Sequence, residues 1–349
     1  MSEATNAPKR RKSVTIYDVA KEAGVSASTV SRAFSRPGRV NSETSELIHA
    51  AAAKLGYRVK PIHRPEIGVE KRALGLVVAD ITNPVYAHIM RGFQQEAVDA
   101  GYTVLLIDSQ EDGRAEFDYI QAVLPLVDGL VLSASRLTDS AINQMVKVVP
   151  VVATNRIIAG LPSVVPDSGR GMRRAVEHLA SLGHTRIAYL GGPEASWANG
   201  VRWRAATEAC HELSIHIRRV GPGTPSVQGG VELAKEWREN PTTGVIAFND
   251  IMAIGFMKAA QSFGLNVPRD VSVVGIDNSI SSVLTTPTLT TVSPQPSQIG
   301  ARAARALLSQ LKHRNTPSAE TIVVPMDLIV RESTSTAASA APKFPEDER

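Results

Sequence analysis

From residue 73 onward, short apolar runs alternate with amphipathic stretches. Seven runs are strand-like: ALGLVVA, TVLLI, DGLVL, VPVVA, RIAYL, TGVIAF and DVSVVGI. The stretches 86–100, 171–182 and 252–263 have the apolar spacing of helices that bury one face. This alternation predicts parallel sheets covered by helices. A turn-rich segment at 166–169 divides the region into halves of comparable size, so we expect two doubly wound α/β lobes.

The first 58 residues have a different pattern, with apolar positions at helical spacing only. One short helix is predicted from Ile16 to Ala23 and ends at Gly24, and a second buries Val30, Ala33 and Phe34. A third amphipathic segment runs over 41–57. Two short helices joined by a glycine-containing turn predict a helix-turn-helix, and the third completes a small core.

The second helix of such a motif lies in the major groove of DNA, where its exposed N-terminal residues reach the bases. Ser26 leads into this helix, and Ala27, Ser28, Thr29 and Arg32 lie on its exposed face. Because a guanidinium can bond a guanine edge twice, Arg32 is the strongest candidate for a base contact.

Charge supports a nucleic-acid partner. Residues 1–64 hold twelve Lys or Arg against five acids, a charge of +7, whereas the whole chain carries +4. A basic head on a mildly acidic body is the footprint of a segment that meets phosphate. The alternative, a basic tail that only aids solubility, does not explain the helical pattern.

Other function classes find little support in the sequence. No apolar stretch is long enough for a membrane helix, and the N-terminus lacks the pattern of a secretory leader, so we expect a cytoplasmic protein without a membrane partner. The single cysteine, Cys210, rules out a cysteine-based zinc site, and we expect neither a metal nor a cofactor. The common nucleotide-binding and hydrolase motifs are missing, which argues against an enzyme.

Polar residues follow several of the predicted strands. They are Asp80, Asn155, Arg156, Asn249, Asp250, Asp277 and Asn278. Ligands of doubly wound folds bind outside the carboxyl ends of strands, and acids with amides suit hydroxyl-rich ligands. Singly, each residue could merely cap a helix or close a turn.

The segment 15–57 resembles the N-terminal signature of the lactose-repressor/galactose-repressor family of bacterial transcription regulators. The resemblance implies that Ala27 and Ser28 set operator preference and that Arg32 is the family's recognition-helix arginine. It also implies that further residues clamp phosphates or meet the groove edge: Thr15, Tyr17, Ser31, Arg39 and Tyr57.

The linker departs from that family. Members usually continue with a short helix whose leucine wedges into the minor groove, but this chain has Pro61, Pro65 and Glu66 there, Glu66 at the leucine position. Proline disrupts a helix interior, and a carboxylate cannot replace an apolar wedge. Either Ile62 or Ile67 supplies another wedge, or the linker stays extended, which we prefer.

The body, up to about residue 331, is similar to the family's periplasmic-binding-protein-like effector domain, through DITNPVY, LGHTRIAYLGGP, FNDIMAIG, VSVVGIDN and LTTV. The resemblance implies an effector site with Arg204 as the arginine, Arg202 beside it, and Asn249, Asp277 and Asn155. We add Asp80 to this site, and Tyr86 and Trp197 as rings that could stack on a ligand. Pro294 replaces the family's pocket glutamine.

The expected organisation follows from these patterns. We expect a basic disordered tail over 1–13, the helix-turn-helix over 14–58, the linker over 59–72, an N-terminal lobe of 73–168 with 296–323, a C-terminal lobe of 169–295 with 324–332, and a disordered tail over 333–349. The last tail has no apolar heptads, so we expect a homodimer.

The sequence therefore predicts a dimeric regulator that binds a pseudo-palindromic DNA operator under the control of a small effector. A sugar or polyol is the favoured effector, with a nucleoside or nucleobase as the alternative. An effector-independent or co-regulator-dependent DNA binder also stays open, and a sugar-transport protein or an enzyme is a distant alternative.

Overall fold

The computed structural model describes residues 16–26, 29, 30, 33, 41–55, 71–313, 319–342 and 344. The chain divides into two compact units, Met1–His63 and Arg64–Arg349. Among the described residues, no helix is long and apolar enough to cross a membrane.

The first unit contains helices α1 (Ile16–Glu22) and α2 (Ser42–Leu55), and Thr29, Val30 and Ala33 between them are also helical. Its core consists of small and β-branched side chains: Val19, Ala20, Val30, Ala33, Ile48, Ala51 and Ala52. The apolar spacing predicted this core, and the result agrees with the predicted helix-turn-helix.

The second unit contains twelve strands and eight helices among its described residues. The strands are β1 (Ala73–Val78), β2 (Thr103–Asp108), β3 (Gly129–Ser133), β4 (Val151–Thr154), β5 (Ser163–Pro166), β6 (Arg186–Leu190), β7 (His216–Val220), β8 (Gly244–Ala247), β9 (Ser272–Ile276), β10 (Thr290–Ser293), β11 (Thr321–Val324) and β12 (Asp327–Ile329). The helices are α3 (Pro84–Asp99), α4 (Gly113–Val123), α5 (Asp139–Val146), α6 (Ser168–Ser181), α7 (Trp197–Glu212), α8 (Val227–Arg238), α9 (Asp250–Ser262) and α10 (Pro296–Lys312).

The strands form two six-stranded sheets, one in each lobe. The N-terminal lobe has the order β11-β5-β4-β3-β1-β2, and all of its pairs are parallel. The C-terminal lobe has the order β12-β10-β9-β8-β6-β7, and among its described strand pairs only β10–β12 is antiparallel. The predicted α/β class with two doubly wound lobes is confirmed. The chain crosses between the lobes three times, after β5, after β10 and after β11.

Side-chain caps position the helices at the ends of strands. Seven helices of the second unit begin at a residue whose side chain accepts a backbone N–H of the first turn, which stabilises the helix start. These residues are Asn83, Asp112, Thr138, Asp167, Ser196, Ser226 and Asn249. Because the caps follow strand ends, they place polar side chains and helix N-termini along one edge of each sheet.

The predicted disorder of 333–349 is wrong for residues 333–342 and Phe344, which pack on the C-terminal lobe. The Ser333 hydroxyl donates to the backbone of Val273 at 2.6 Å and accepts from that of Thr290 at 2.8 Å. Phe344 is buried, with its ring 6.2 Å from those of Trp237 and Phe263. The polar composition was misleading because these hydroxyls satisfy backbone groups of the sheet and one phenylalanine anchors the segment.

Candidate functional site

The carboxyl ends of both sheets face a cleft between the two lobes. Its lining comes from both lobes and includes Asn83, Val85, Tyr86, Ile89, Glu111, Ala134, Arg136, Asn155, Ser196, Ala198, Arg202, Pro225, Phe248, Asn249, Asp277, Pro294, Pro296 and Ile299. The cavity volume is about 50 Å³. Typical ligand pockets measure roughly 300 to 1,000 Å³, so a sugar-sized ligand requires the lobes to separate.

Left-handed backbone is concentrated at this edge. Of nine described non-glycine residues with positive φ, seven lie just after strands that end at the cleft: Gln110, Glu111, Ala134, Asn155, Asp277, Asn278 and Gln295. Such conformations cost about 1 kcal/mol or more each and persist where the surrounding structure enforces them, often at functional sites. The loops at the cleft are therefore held in fixed, unfavourable shapes.

Arg202 is the central basic group of the C-terminal lobe's half. It lies on α7 and is buried, its Nη1 donates to the carbonyl of Phe248 at 2.6 Å, and its guanidinium lies over the Phe248 ring at 4.9 Å. Its Nη2 is 3.9 Å from Oδ1 of Asp277, which is an ion pair too long for a hydrogen bond. The buried Nε has no hydrogen-bond partner in the described part of the chain.

Two buried carboxyls, those of Asp250 and Asp277, lie beyond the carboxyl ends of β8 and β9 in the C-terminal lobe. Burial raises the pKa of Asp277 to about 7. The positive charge of Arg202 lowers this pKa, whereas the nearby Asp250 carboxyl raises it further. Burial also raises the pKa of Asp250, which accepts hydrogen bonds from Thr291 Oγ1 at 2.6 Å and the Ser279 amide at 2.7 Å. Asp250 is thus bound within the lobe, whereas Asp277 faces the cleft.

Asn249 combines the two roles that its sequence position allowed. Its Oδ1 accepts from the amide of Met252 at 3.0 Å and caps α9, as a purely structural residue would. Its Nδ2 is buried without a partner in the described residues. The lobe therefore presents two unpaired buried donors, Arg202 Nε and Asn249 Nδ2, on residues that line one cavity.

The half in the N-terminal lobe contains Asn83, Tyr86 and Asn155. Burial raises the pKa of the Tyr86 hydroxyl far above its ordinary value, so this group stays a neutral donor and acceptor. Asn155 follows β4 with a φ of 58°, a value that asparagine tolerates better than most residues.

The sequence analysis did not identify an ion pair in the N-terminal lobe, Glu111 with Arg136. Arg136 follows β3 and Glu111 follows β2, and Nε of Arg136 donates to Oε2 of Glu111 at 2.7 Å. Each lies three residues beyond the end of its strand, and the sequence analysis selected no residue from either of these two loops. The predicted Arg156 instead pairs with Asp139 and donates to the carbonyl of Leu137, and it does not line the cavity.

Four of the seven predicted effector residues line the cavity: Tyr86, Asn155, Asn249 and Asp277. Three do not. Asp80 accepts from Thr82 in a local turn, Trp197 is a half-buried residue at the start of α7, and Arg204 is exposed. Arg204 lies two residues after Arg202, about 200° around the helix, so the cleft arginine is Arg202.

A larger groove of about 380 Å³ lies on the N-terminal lobe beside α10, lined in part by Arg302 and His313. No unpaired buried polar atom of the described residues lines it, in contrast to the cleft. The cleft is therefore the stronger candidate site.

The proposed DNA contacts fall mostly outside the described residues: Thr15, Ala27, Ser28, Ser31, Arg32, Arg39, Tyr57, the side chain of Tyr17, and the linker residues Pro61, Pro65 and Glu66. Ser26 and Thr29 are described. The Thr29 amide donates to the Ser26 hydroxyl oxygen at 3.2 Å, the bond of a helix N-cap. Ser26 therefore starts the second helix.

Residues 15–59 match the family of bacterial regulatory proteins of the lacI type, and residues 176–334 match a periplasmic-binding-protein-like domain. The chain is 31% identical to the HTH-type transcriptional repressor CytR of Escherichia coli (strain K12), over 94% of this chain and 98% of CytR. It is 33% identical to the ribose operon repressor of Bacillus subtilis (strain 168), over 92% and 98%.

Among solved structures, the lac repressor dimer bound to operator and the anti-inducer ONPF aligns with a TM-score of 0.68 and 27% identity, over 93% of this chain and all of that one. The relatives are transcriptional repressors and not enzymes. The chain thus belongs to the lacI family of bacterial regulatory proteins, as a DNA-binding regulator with a periplasmic-binding-protein-like ligand domain.

Proposed function

We propose that the protein is a homodimer whose affinity for a pseudo-palindromic operator is controlled by a sugar or polyol bound in the cleft. The observation that carries this proposal is the set of unsatisfied polar groups there. Arg202 Nε and Asn249 Nδ2 are buried donors without partners in the described chain, which is costly unless another molecule accepts from them. Asp277 lines the same cavity as an acceptor when ionised.

A hydroxyl-rich ligand fits these groups because each hydroxyl both donates and accepts. One of the relatives is a ribose operon repressor, and its name agrees with a sugar effector. A nucleoside is less favoured, since the Phe248 ring already has the Arg202 guanidinium over it at 4.9 Å and Trp197 does not line the cavity.

An exposed apolar face supports the homodimer. Ile280, Val283 and Leu284 are 61%, 44% and 76% exposed and fall within one five-residue segment, 280–284, after β9. Contiguous exposed apolar residues mark interaction sites. A second copy of this chain is the occupant we propose, since the lac repressor with which 93% of this chain aligns is a dimer.

The basic first unit contacts the operator, and Arg32 reads its bases. The protein acts in the cytoplasm, where operator DNA is. Ligand binding changes the separation of the lobes and hence the geometry of the two heads of a dimer. Operator and ligand affinities are then reciprocally coupled. Equal ligand affinities of free and operator-bound protein would contradict this coupling.

The test is a thermal-shift screen against pentoses, hexoses, inositols, sugar phosphates, nucleosides and purines. A ligand at 100 times its Kd adds about 2.7 kcal/mol of stability. We expect a sugar or polyol to stabilise the wild type, Arg202→Met to lose the response and the matched variant Arg204→Met on the same helix to keep it. Loss in Arg204→Met alone would refute the cleft assignment, a nucleoside response would replace the ligand class, and no response at all would favour an effector-independent regulator.

A further inference from the structure

Each lobe contributes one acid and one guanidinium to the cleft, but the two pairs differ in tightness. In the C-terminal lobe, Arg202 and Asp277 approach only to 3.9 Å. In the N-terminal lobe, Arg136 and Glu111 form a close pair, with Nη2 to Oε2 at 2.5 Å and Nε to Oε2 at 2.7 Å. The pair in the N-terminal lobe is a preformed unit.

The Arg136 side chain is held rigidly. Besides Glu111, its Nη1 donates to the carbonyl of Ala134 at 3.0 Å, and its backbone amide donates to the buried Glu116 at 2.9 Å. The side chain is only 7% exposed, and the residue lines the cleft. A side chain fixed in this way loses little entropy when a ligand binds.

Glu111 reaches this position through an unfavourable backbone. Its φ is 59°, that of the preceding Gln110 is 52°, and its amide donates to the carbonyl of Ala79 at 2.7 Å. The pair is partly buried, with 7% of the Arg136 side chain and 24% of the Glu111 side chain exposed, and desolvation offsets much of the attraction within such a pair. Neither the strained loop nor the pair is therefore explained by the stability of the fold.

The pair has bonding capacity to spare. Both contacts from Arg136 end on the same carboxylate oxygen, Oε2, so Oε1 of Glu111 has no hydrogen-bond partner in the described chain. Arg136 carries five N–H groups, of which its contacts to Glu111 and Ala134 use three. An acceptor and donors thus lie side by side, which matches two neighbouring hydroxyls of one ligand.

We propose that Glu111 and Arg136 form the N-terminal lobe's half of the effector site and select ligands that have two adjacent free hydroxyls. One hydroxyl donates to Glu111 Oε1, and its neighbour accepts from Arg136. This inference rests on the proposed function, because it requires a ligand in the cleft.

The experiment measures binding by calorimetry with D-ribose, D-glucose, D-galactose and myo-inositol, each beside an analogue that lacks one hydroxyl of a vicinal pair. We expect the wild type to prefer at least one parent over its deoxy analogue by about tenfold or more. We expect Glu111→Gln and Arg136→Met to bind that parent at least about tenfold more weakly and to lose the preference. The ratio of parent to analogue affinity is a readout that a purely structural role would not change.

Asp139→Asn is the matched control, because Asp139 pairs with Arg156 at the end of another strand of the same lobe but does not line the cleft. It should keep both affinity and preference. Glu111→Gln preserves the side-chain shape, so it remains a test if Arg136→Met fails to fold. Unchanged preference in Glu111→Gln overturns this inference while leaving the proposed function intact, whereas failure of every probe to bind the wild type overturns both.

Discussion

The buried carboxyl of Asp277 makes the C-terminal lobe less stable as pH rises, and Asp277→Asn tests this. Burial raises the pKa of this carboxyl from 3.8 to about 7. Since the folded state binds the proton more tightly than the unfolded state, the protonated carboxyl contributes its full stability below about pH 4. That contribution is lost as pH rises through 7.

The magnitude follows from the two pKa values. The difference between 3.8 and about 7 corresponds to about 4 kcal/mol above pH 7, which sets the largest effect. Asparagine has the shape of the carboxyl but does not ionise, so the variant avoids this cost. We expect the melting temperature of Asp277→Asn to exceed that of the wild type by only about 2 to 4 °C near pH 4.5 and by roughly 8 to 16 °C at pH 8.

Thermal unfolding of ligand-free protein between pH 4.5 and 8 measures this difference. Asp270 provides a control, because its pKa is lowered by its hydrogen bond to Arg269, so Asp270→Asn should give no gain at alkaline pH. A difference between Asp277→Asn and wild type that stays constant with pH would refute the reasoning. The same variant should lose its ligand response, since Asp277 lines the cleft.

Three further outcomes test the packing and the assembly. Phe344→Ala should destabilise the protein by about 3 kcal/mol because a buried ring is removed from an aromatic cluster, whereas the exposed Ser339→Ala leaves the melting temperature unchanged. Gly300→Ala should lower the free energy of unfolding by about 1 to 3 kcal/mol in denaturant, because the added Cβ would lie 2.0 Å from a backbone oxygen of α3. Gly200→Ala is the control and should be neutral or stabilising, because open space surrounds Gly200. Equal effects of the two variants would contradict the close packing of α10 on α3. Leu284→Asp should shift the protein from dimer to monomer in analytical ultracentrifugation, and an unchanged dimer would remove this face from the interface.

The strand-end residues were predictable because a strand's carboxyl end is visible in the sequence. Asn249 and Asp277 directly follow apolar runs, and both line the cleft. The position of a side chain around a helix was the harder problem. The resemblance favoured Arg204. Arg202, however, lies at helical spacing from the buried Ala206, Ala209 and Cys210, so the period of the helix already indicated that Arg202 is on the buried face.

The pair of Glu111 and Arg136 could not be predicted from the sequence. The two residues come from different loops, and their contact depends on left-handed backbone at Glu111 and Ala134 that no local pattern indicates. The prediction of a disordered tail failed for another reason. Its composition is polar, and a single residue, Phe344, provides the apolar anchor.

The three chain crossings between the lobes have a consequence for biosynthesis. The sheet of the N-terminal lobe starts at β1. Helix α10, which packs on α3, and the edge strand β11 both come from the far end of the chain. Leu74 and Leu76 of β1 share a core with Ile299 and Leu307 of α10, which the ribosome adds roughly 230 residues later. At about 5 to 20 residues per second, this apolar face stays uncovered for roughly 10 to 50 s of translation. We therefore expect chaperones that shield apolar surface to bind the nascent lobe until the last helix emerges.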